Sequence, residues 1–325
     1  MGRQAGFLES TQYFEKRLKT MFPIADTLAP ALLSYRGSIT DPNRWSTWHP
    51  RLGDILICTP PKSGTTWTQT MVAMLIHEKS TLPEAVHVMS PWVDANLGVP
   101  ANEVAAALAR QNKRRVVKTH TPADGFPLWD GVKVISVYRH PLDVFFSLRK
   151  HNANVNEPDG DEPMCWPLDK AFRYFIEEDA YLDDFDRDKL ATVTRHYSQT
   201  VLSGRIPNLK TLHYADLLQN SHRAVEIVAN AAEIDVSAKV IEDVASATSF
   251  SSMKSKAAEY APVGGTGFWK SDAKFFDSAS SGKWHGVLSD DQVNAYSARL
   301  KELVPDDASR AWLEFGNAAT SRQQG

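Results

Sequence analysis

The chain has 325 residues, a formal net charge of -3 and a pI of about 6.4, so no overall basic field marks it for nucleic acid. Hydrophobic residues make up 42%, enough for a sizeable core and too many for a disordered chain. Cys58 and Cys165 stand far apart and indicate neither a disulfide framework nor a zinc site.

A helix is predicted over 11–21, with prolines after it. No early stretch has the apolar length of a signal peptide, and no run is long enough to span a bilayer. The expectation is a soluble, cytoplasmic protein with no membrane partner. Residues 54–58 read as a buried parallel strand, and 68–76 as a helix packed on a sheet. Pro83, Pro91, Gly98 and Pro100 break up 80–100, and an Ala-rich helix follows over 102–110, with Asn102 as expected N-cap. Strands are predicted at 115–118, 132–138 and 209–213. Pro141 opens a helix, 152–168 form a long acidic and Pro-rich loop, and helices follow near 169–182 and 190–203. Ser221 is the expected cap of a helix over 221–232, and further helices span 236–247, 289–303 and 308–315. Residues 254–283, rich in Gly, Ser, Lys and aromatics, read as a functional loop, and 320–325 as a frayed tail. The alternation predicts an α/β fold, a mainly parallel central sheet flanked by helices, in a single domain over 1–325.

Between the first strand and its helix lies Thr59-Pro60-Pro61-Lys62-Ser63-Gly64-Thr65-Thr66-Trp67. A strand–loop–helix turn delivers a helix N-terminus, whose unpaired N–H groups and dipole attract an anion. Lys62 adds a full positive charge, Ser63, Thr65 and Thr66 add hydroxyls, and Gly64 permits close backbone approach. The loop is built for a phosphate-like group. It is not a triphosphate loop, because Lys62 precedes Gly64 and no glycine lies at the motif's upstream position.

Three more segments begin where predicted strands end, the edge at which open α/β sheets bind ligands. Lys118 and His120 project to one side of an extended chain, as a charge stabiliser and a group able to take a proton. Arg139 at a strand end and Ser147 two turns into the next helix can meet one phosphate. In Thr248-Ser249-Phe250-Ser251-Ser252-Met253-Lys254, Phe250 offers a face for a purine.

These motifs, in this order, resemble those of the cytosolic sulfotransferase family, over about residues 50–290. The resemblance implies a P-loop-like phosphosulfate-binding loop and a donor, 3′-phosphoadenosine 5′-phosphosulfate (PAPS), that leaves as 3′,5′-adenosine bisphosphate. It implies sulfuryl transfer by in-line displacement to a hydroxyl or amine of a small-molecule acceptor. By resemblance His120 is the general base, Lys118 contacts the sulfuryl group, and Lys62 sits at the leaving phosphate. Ser63, Gly64, Thr65 and Thr66 would bind the phosphosulfate with Lys62, while Arg139 and Ser147 take the 3′-phosphate. Trp67, Tyr214, Thr248 and Phe250 would hold adenine. His140 is incidental and Asp143 structural. No metal is implied.

One departure stands out. The family carries Arg-Lys-Gly shortly before Gly-Asp-Trp, whereas this chain has Asp277-Ser278-Ala279 ahead of Gly282 and Trp284. Lys270, Lys274 or Lys283 can compensate, donor affinity can be weak, or the donor can lack the 3′-phosphate. Compensation is favoured, since Arg139 and Ser147 are retained. The family's C-terminal dimerisation signature is not evident near Ser289, so no oligomeric state is carried over. Trp92, Phe145, Phe146, Phe268 and Trp269 are candidates for an apolar acceptor pocket, and His151, one turn beyond Ser147, for contact with a polar acceptor. The alternatives are a catalytically degenerate nucleotide-binding protein, which the departure favours, and a nucleotide-dependent kinase. A kinase needs a triphosphate loop and a Mg²⁺-holding carboxylate, and Asp143 lies within a helix.

Overall fold

The computed structural model describes residues 22–157 and 161–318; the helix expected over 11–21 and the tail at 320–325 lie outside them. A short antiparallel pair, β1 (Thr27–Ala29) and β4 (Leu128–Trp129), sits beside a four-stranded parallel sheet. That sheet runs in the order β3 (Val116–Thr119), β2 (Ile55–Cys58), β5 (Lys133–Tyr138), β6 (Lys210–His213). The longer helices are α1 (Thr65–His77), α2 (Ala101–Arg110), α3 (Pro141–Ala153), α4 (Leu168–Glu177), α5 (Leu190–Tyr197), α6 (Ser221–Ala232), α7 (Ala238–Ala247), α8 (Asp290–Leu303) and α9 (Asp307–Phe315).

The period-2 alternation of a strand divides the core. Ile55 and Ile57 face Met71 and Leu75 of α1, Val225 and Val228 of α6, and Ile241 and Val244 of α7. Leu56 and Cys58 pack on the opposite face with Val117, Val134, Trp45, Trp48 and Phe126. A further cluster joins Leu142, Phe145 and Leu148 of α3 to Phe172 and Phe175 of α4 and to Tyr296 and Leu300 of α8. With both faces covered, β2 is apolar throughout.

Two helix caps differ from expectation. Helix α2 starts at Ala101, so Asn102 lies inside its first turn and Pro100 is the cap residue, without a capping side chain. At α6 the cap is Asn220, whose Oδ1 accepts from the Arg223 N–H at 2.9 Å, and Ser221 becomes the first helical residue. Neighbouring Asn and Ser both suit the role, and the side chain that reaches the third helical N–H decides. Ser289 caps α8 in a full capping box with Gln292. Helix α5 continues as a π turn over Ser198–Leu202. Within 254–283 lie one-turn helices at Ala257–Tyr260 and Asp272–Phe275. Among the described residues no helix is long and apolar enough to cross a membrane.

Candidate active site

Because β2, β3, β5 and β6 are parallel, their carboxyl ends open on one edge of the sheet. From those ends come, in turn, the 59–64 loop, His120, Arg139 and Tyr214. All four meet in a cavity of about 1190 Å³, which also takes residues from α3 and from 248–283.

The 59–64 loop turns through two left-handed residues, Lys62 at φ 61° and Gly64 at φ 107°. A Cβ at Gly64 would stand 2.9 Å from Cδ2 of Tyr214, so glycine is required there on both backbone and packing grounds. Gly64 is also the N-cap of α1 and supplies no capping side chain, leaving the first N–H groups of that helix for another partner. Lys62, Gly64, Thr65, Thr66 and Trp67 line the cavity. Ser63 is buried and does not; its hydroxyl donates to the Pro61 carbonyl at 3.5 Å. The Thr65 and Thr59 hydroxyls are bonded to each other at 2.6 Å.

Lys118 and His120 both reach the cavity from the end of β3. Trp92 is held beside them by an isolated bridge to Lys118, and its ring lies 4.6 Å from the lysine Nζ and 4.6 Å from the His120 ring centroid. Nδ1 of His120 is 2.6 Å from the Thr59 carbonyl oxygen. A carbonyl only accepts, so Nδ1 carries the proton and Nε2 keeps its lone pair. Burial first, and then Lys118, holds the imidazole pKa well below its usual 6.5. Burial likewise pulls Lys118 down to about 8. It pulls Lys62 down to about 7, helped by Arg139 and Lys118. Three positive or potentially positive groups are crowded into one low-dielectric space, an arrangement suited to an anion.

Buried Asp94 braces this corner. Its Oδ2 accepts from the Thr119 and Thr121 hydroxyls at 2.9 and 2.6 Å, one on either side of His120.

Arg139 lies with its guanidinium 4.5 Å from the Tyr214 ring centroid and donates to the carbonyls of Ser280 (2.8 Å) and Lys62 (3.4 Å). Its Nε is buried with no hydrogen-bond partner. Ser147 lines the same space, as does Lys283. Asp277, at the start of the departing segment, is ion-paired with Lys150 at 2.5 Å and with Lys283. Burial alone would raise the Asp277 pKa; hydrogen bonds from the two lysines outweigh it and hold the carboxyl below its usual range. Asp143 accepts from the backbone N–H groups of Gly282 and Lys283, both at 2.9 Å, and so fastens this segment to the start of α3. It makes no ion pair with Arg139. His140 caps α3 by accepting from the Leu142 N–H. Lys270 donates to the Ala153 carbonyl, away from the Arg139 corner.

Trp67 donates from Nε1 to the Thr248 carbonyl at 2.9 Å and meets Tyr214 edge-on at 5.8 Å. Thr248 and the half-exposed Phe250 complete that wall. At the other end Trp92, Phe268, Trp269 and His151 line the cavity. Phe145 and Phe146 do not: Phe145 is fully buried between α3 and α4 and Phe146 packs on that cluster, so the apolar acceptor candidates reduce to three. Sequence reasoning missed Asn152 and Asp188, which line the cavity, and Lys150, which pairs with Asp277. Lys150 follows Ser147 at helical spacing and was open to discovery. Asp188, pushed up to about 7 by burial and by Glu162 and Asp186, comes from a polar segment with no local signal. Among the described residues there is no cluster of His, Cys, Asp and Glu able to hold a metal ion.

The family described as "Sulfotransferase domain" matches residues 52–307. A glycolipid sulfotransferase of Mycobacterium tuberculosis strain H37Ra is 31% identical over 311 residues, 87% of this chain and 94% of that protein. Sulfotransferase 1B1 of Canis lupus familiaris is 24% identical, covering 84% and 90%. Among solved structures, mouse sulfotransferase SULT7A1 complexed with PAP superposes with a TM-score of 0.61 at 17% identity, over 83% of this chain and 91% of that one. Retinol dehydratase with androsterone and PAP gives 0.61 at 16% identity, over 90% and 94%.

Proposed function

The chain belongs to the sulfotransferase family, and we propose that it transfers a sulfuryl group from PAPS to a hydroxyl of a small-molecule acceptor, with His120 as general base. The observation that carries this reading is the convergence of Lys62, Lys118 and His120 on one cavity, with the lone pair of His120 free at Nε2.

The residues present fit the donor. The uncapped α1 N-terminus with Lys62, Thr65 and Thr66 suits the 5′-phosphosulfate. Arg139, with its orphaned Nε, Ser147 and Lys283 suit the 3′-phosphate. Of the three lysines considered as replacements for the missing Arg-Lys-Gly, Lys283 is favoured because it lines the cavity. Trp67, Tyr214, Thr248 and Phe250 suit adenine. When bound, PAPS supplies an activated sulfuryl group on a phosphate leaving group. His120 Nε2 takes the acceptor's proton as its oxygen attacks, and Lys118 balances charge on the sulfuryl oxygens. Lys62 balances charge on the departing phosphate. Lys118 depresses both Lys62 and His120, and an anionic donor placed among them opposes that shift.

For the acceptor, the lining offers apolar residues, Trp92, Leu97, Val99 and Phe268 among them, and polar ones such as Asn152 and Asp188. Together with the glycolipid sulfotransferase among the relatives, this favours an amphiphile bearing hydroxyls. His120→Ala should lower kcat by about a thousandfold, within the range a general base supplies, while 3′,5′-adenosine bisphosphate binds within about threefold of wild type. Retained turnover, or loss of nucleotide binding in a folded variant, would remove His120 from this role.

A further inference from the structure

Of the histidines that line the cavity, His120 and His151 are set in opposite tautomers by their partners. His120 presents a bare Nε2, because Nδ1 donates to Thr59. His151 has its Nδ1 3.0 Å from Lys62 Nζ. A charged lysine only donates, so here Nδ1 is the lone pair and Nε2 carries the proton. The His151 ring is wedged edge-on against Trp269 at 4.8 Å and Phe275 at 5.9 Å, and Lys62 Nζ lies 4.4 Å from the Phe275 centroid. The ammonium is therefore caught between an imidazole nitrogen and an aromatic face, two partners that attract a cation without carrying charge.

Resting on the sulfotransferase reading, we propose that His151 is a positioning residue that holds the Lys62 ammonium, charged and aimed, beside the reacting centre. Lys62 needs such a partner. Arg139 and Lys118 press on it, with Lys283 behind them, while Asp188 favours its charge. His151 is suited to the task because burial, Lys62, Lys118 and His120 all keep it neutral. Helical geometry supplies the placement: His151 follows Ser147 by one turn, so α3 brings a donor-holding hydroxyl and the lysine's holder to one face.

The test compares wild type with His151→Phe, which keeps the ring packing, and His151→Asn, whose Oδ1 can take the place of Nδ1. The first readout is Lys62 titration by competitive labelling with an amine reagent and mass spectrometry, which needs neither donor nor acceptor. The second is kcat and KM with PAPS. His151→Phe should lower the Lys62 pKa and reduce kcat roughly ten- to a hundredfold, with bisphosphate affinity nearly kept. His151→Asn should recover most of both. An unmoved Lys62 titration in folded His151→Phe overturns the proposal. So does an equal loss in both variants, which marks packing alone, or a loss confined to acceptor KM. A shifted Lys62 titration in a protein whose wild type does not use PAPS would support the pairing and sink the sulfotransferase reading instead.

Discussion

His120 is a neutral imidazole among positive charges, and this sets the sign of the pH dependence. Its pKa lies below the usual 6.5, so the free base accumulates as pH rises through that lower value. Lys62 and Lys118, lowered to about 7 and about 8, are charged below those values and lose charge above them. kcat/KM, which reports the free enzyme, should therefore rise on an acid limb below pH 6.5 and fall on an alkaline limb between about 7 and 8. In kcat the alkaline limb should move up, because a bound anion favours charged lysines. A kcat/KM that still climbs above pH 8 would contradict these assignments. Single residues differed in how well they could be read. His120 and Arg139 stand at strand ends inside short motifs, whereas Asp188 and Asp94 gain meaning only from neighbours distant in sequence.

At the scale of elements, hydrophobic periodicity located the four parallel strands to within a residue or two, because both faces of the sheet are buried and β2 is continuously apolar. The same local signal misled at Phe145 and Phe146. Helix α3 buries several sides at once, so an aromatic pair next to a site motif ended in the core shared with α4. The cap of α6 was readable in kind and not in position, as Asn220 shows, whereas α2 starts after Pro100 with no capping side chain at all. The 254–283 segment was legible as functional from composition alone. Its internal order combines a local pair, Asp277 with Lys283, with pairing to Lys150 and Asp143 across more than a hundred residues. That pairing also explains how an acidic residue can replace a cationic motif. Its charge is offset by two lysines, and Arg139 keeps its place beside Tyr214.

For the molecule as a whole, a chain of net charge -3 gathers Lys62, Lys118, Arg139 and Lys283 around one cavity. The cations suited to the donor are gathered locally, beside carboxylates such as Asp188 and Asp277 in the same lining. We propose that the chain acts as a single domain, since residues from 62 to 283 contribute to the same cavity. Thermal unfolding should then be one cooperative transition that shifts upward as a unit on adding 3′,5′-adenosine bisphosphate, by about 2.7 kcal/mol at a hundred times Kd. Two transitions, with only one of them responding, would divide it. The most direct test of donor identity is calorimetric titration of the wild-type protein with 3′,5′-adenosine bisphosphate, run beside ATP with Mg²⁺. The account predicts bisphosphate binding at micromolar Kd or tighter, about -8 kcal/mol, and no heat from ATP; binding of ATP alone would contradict it.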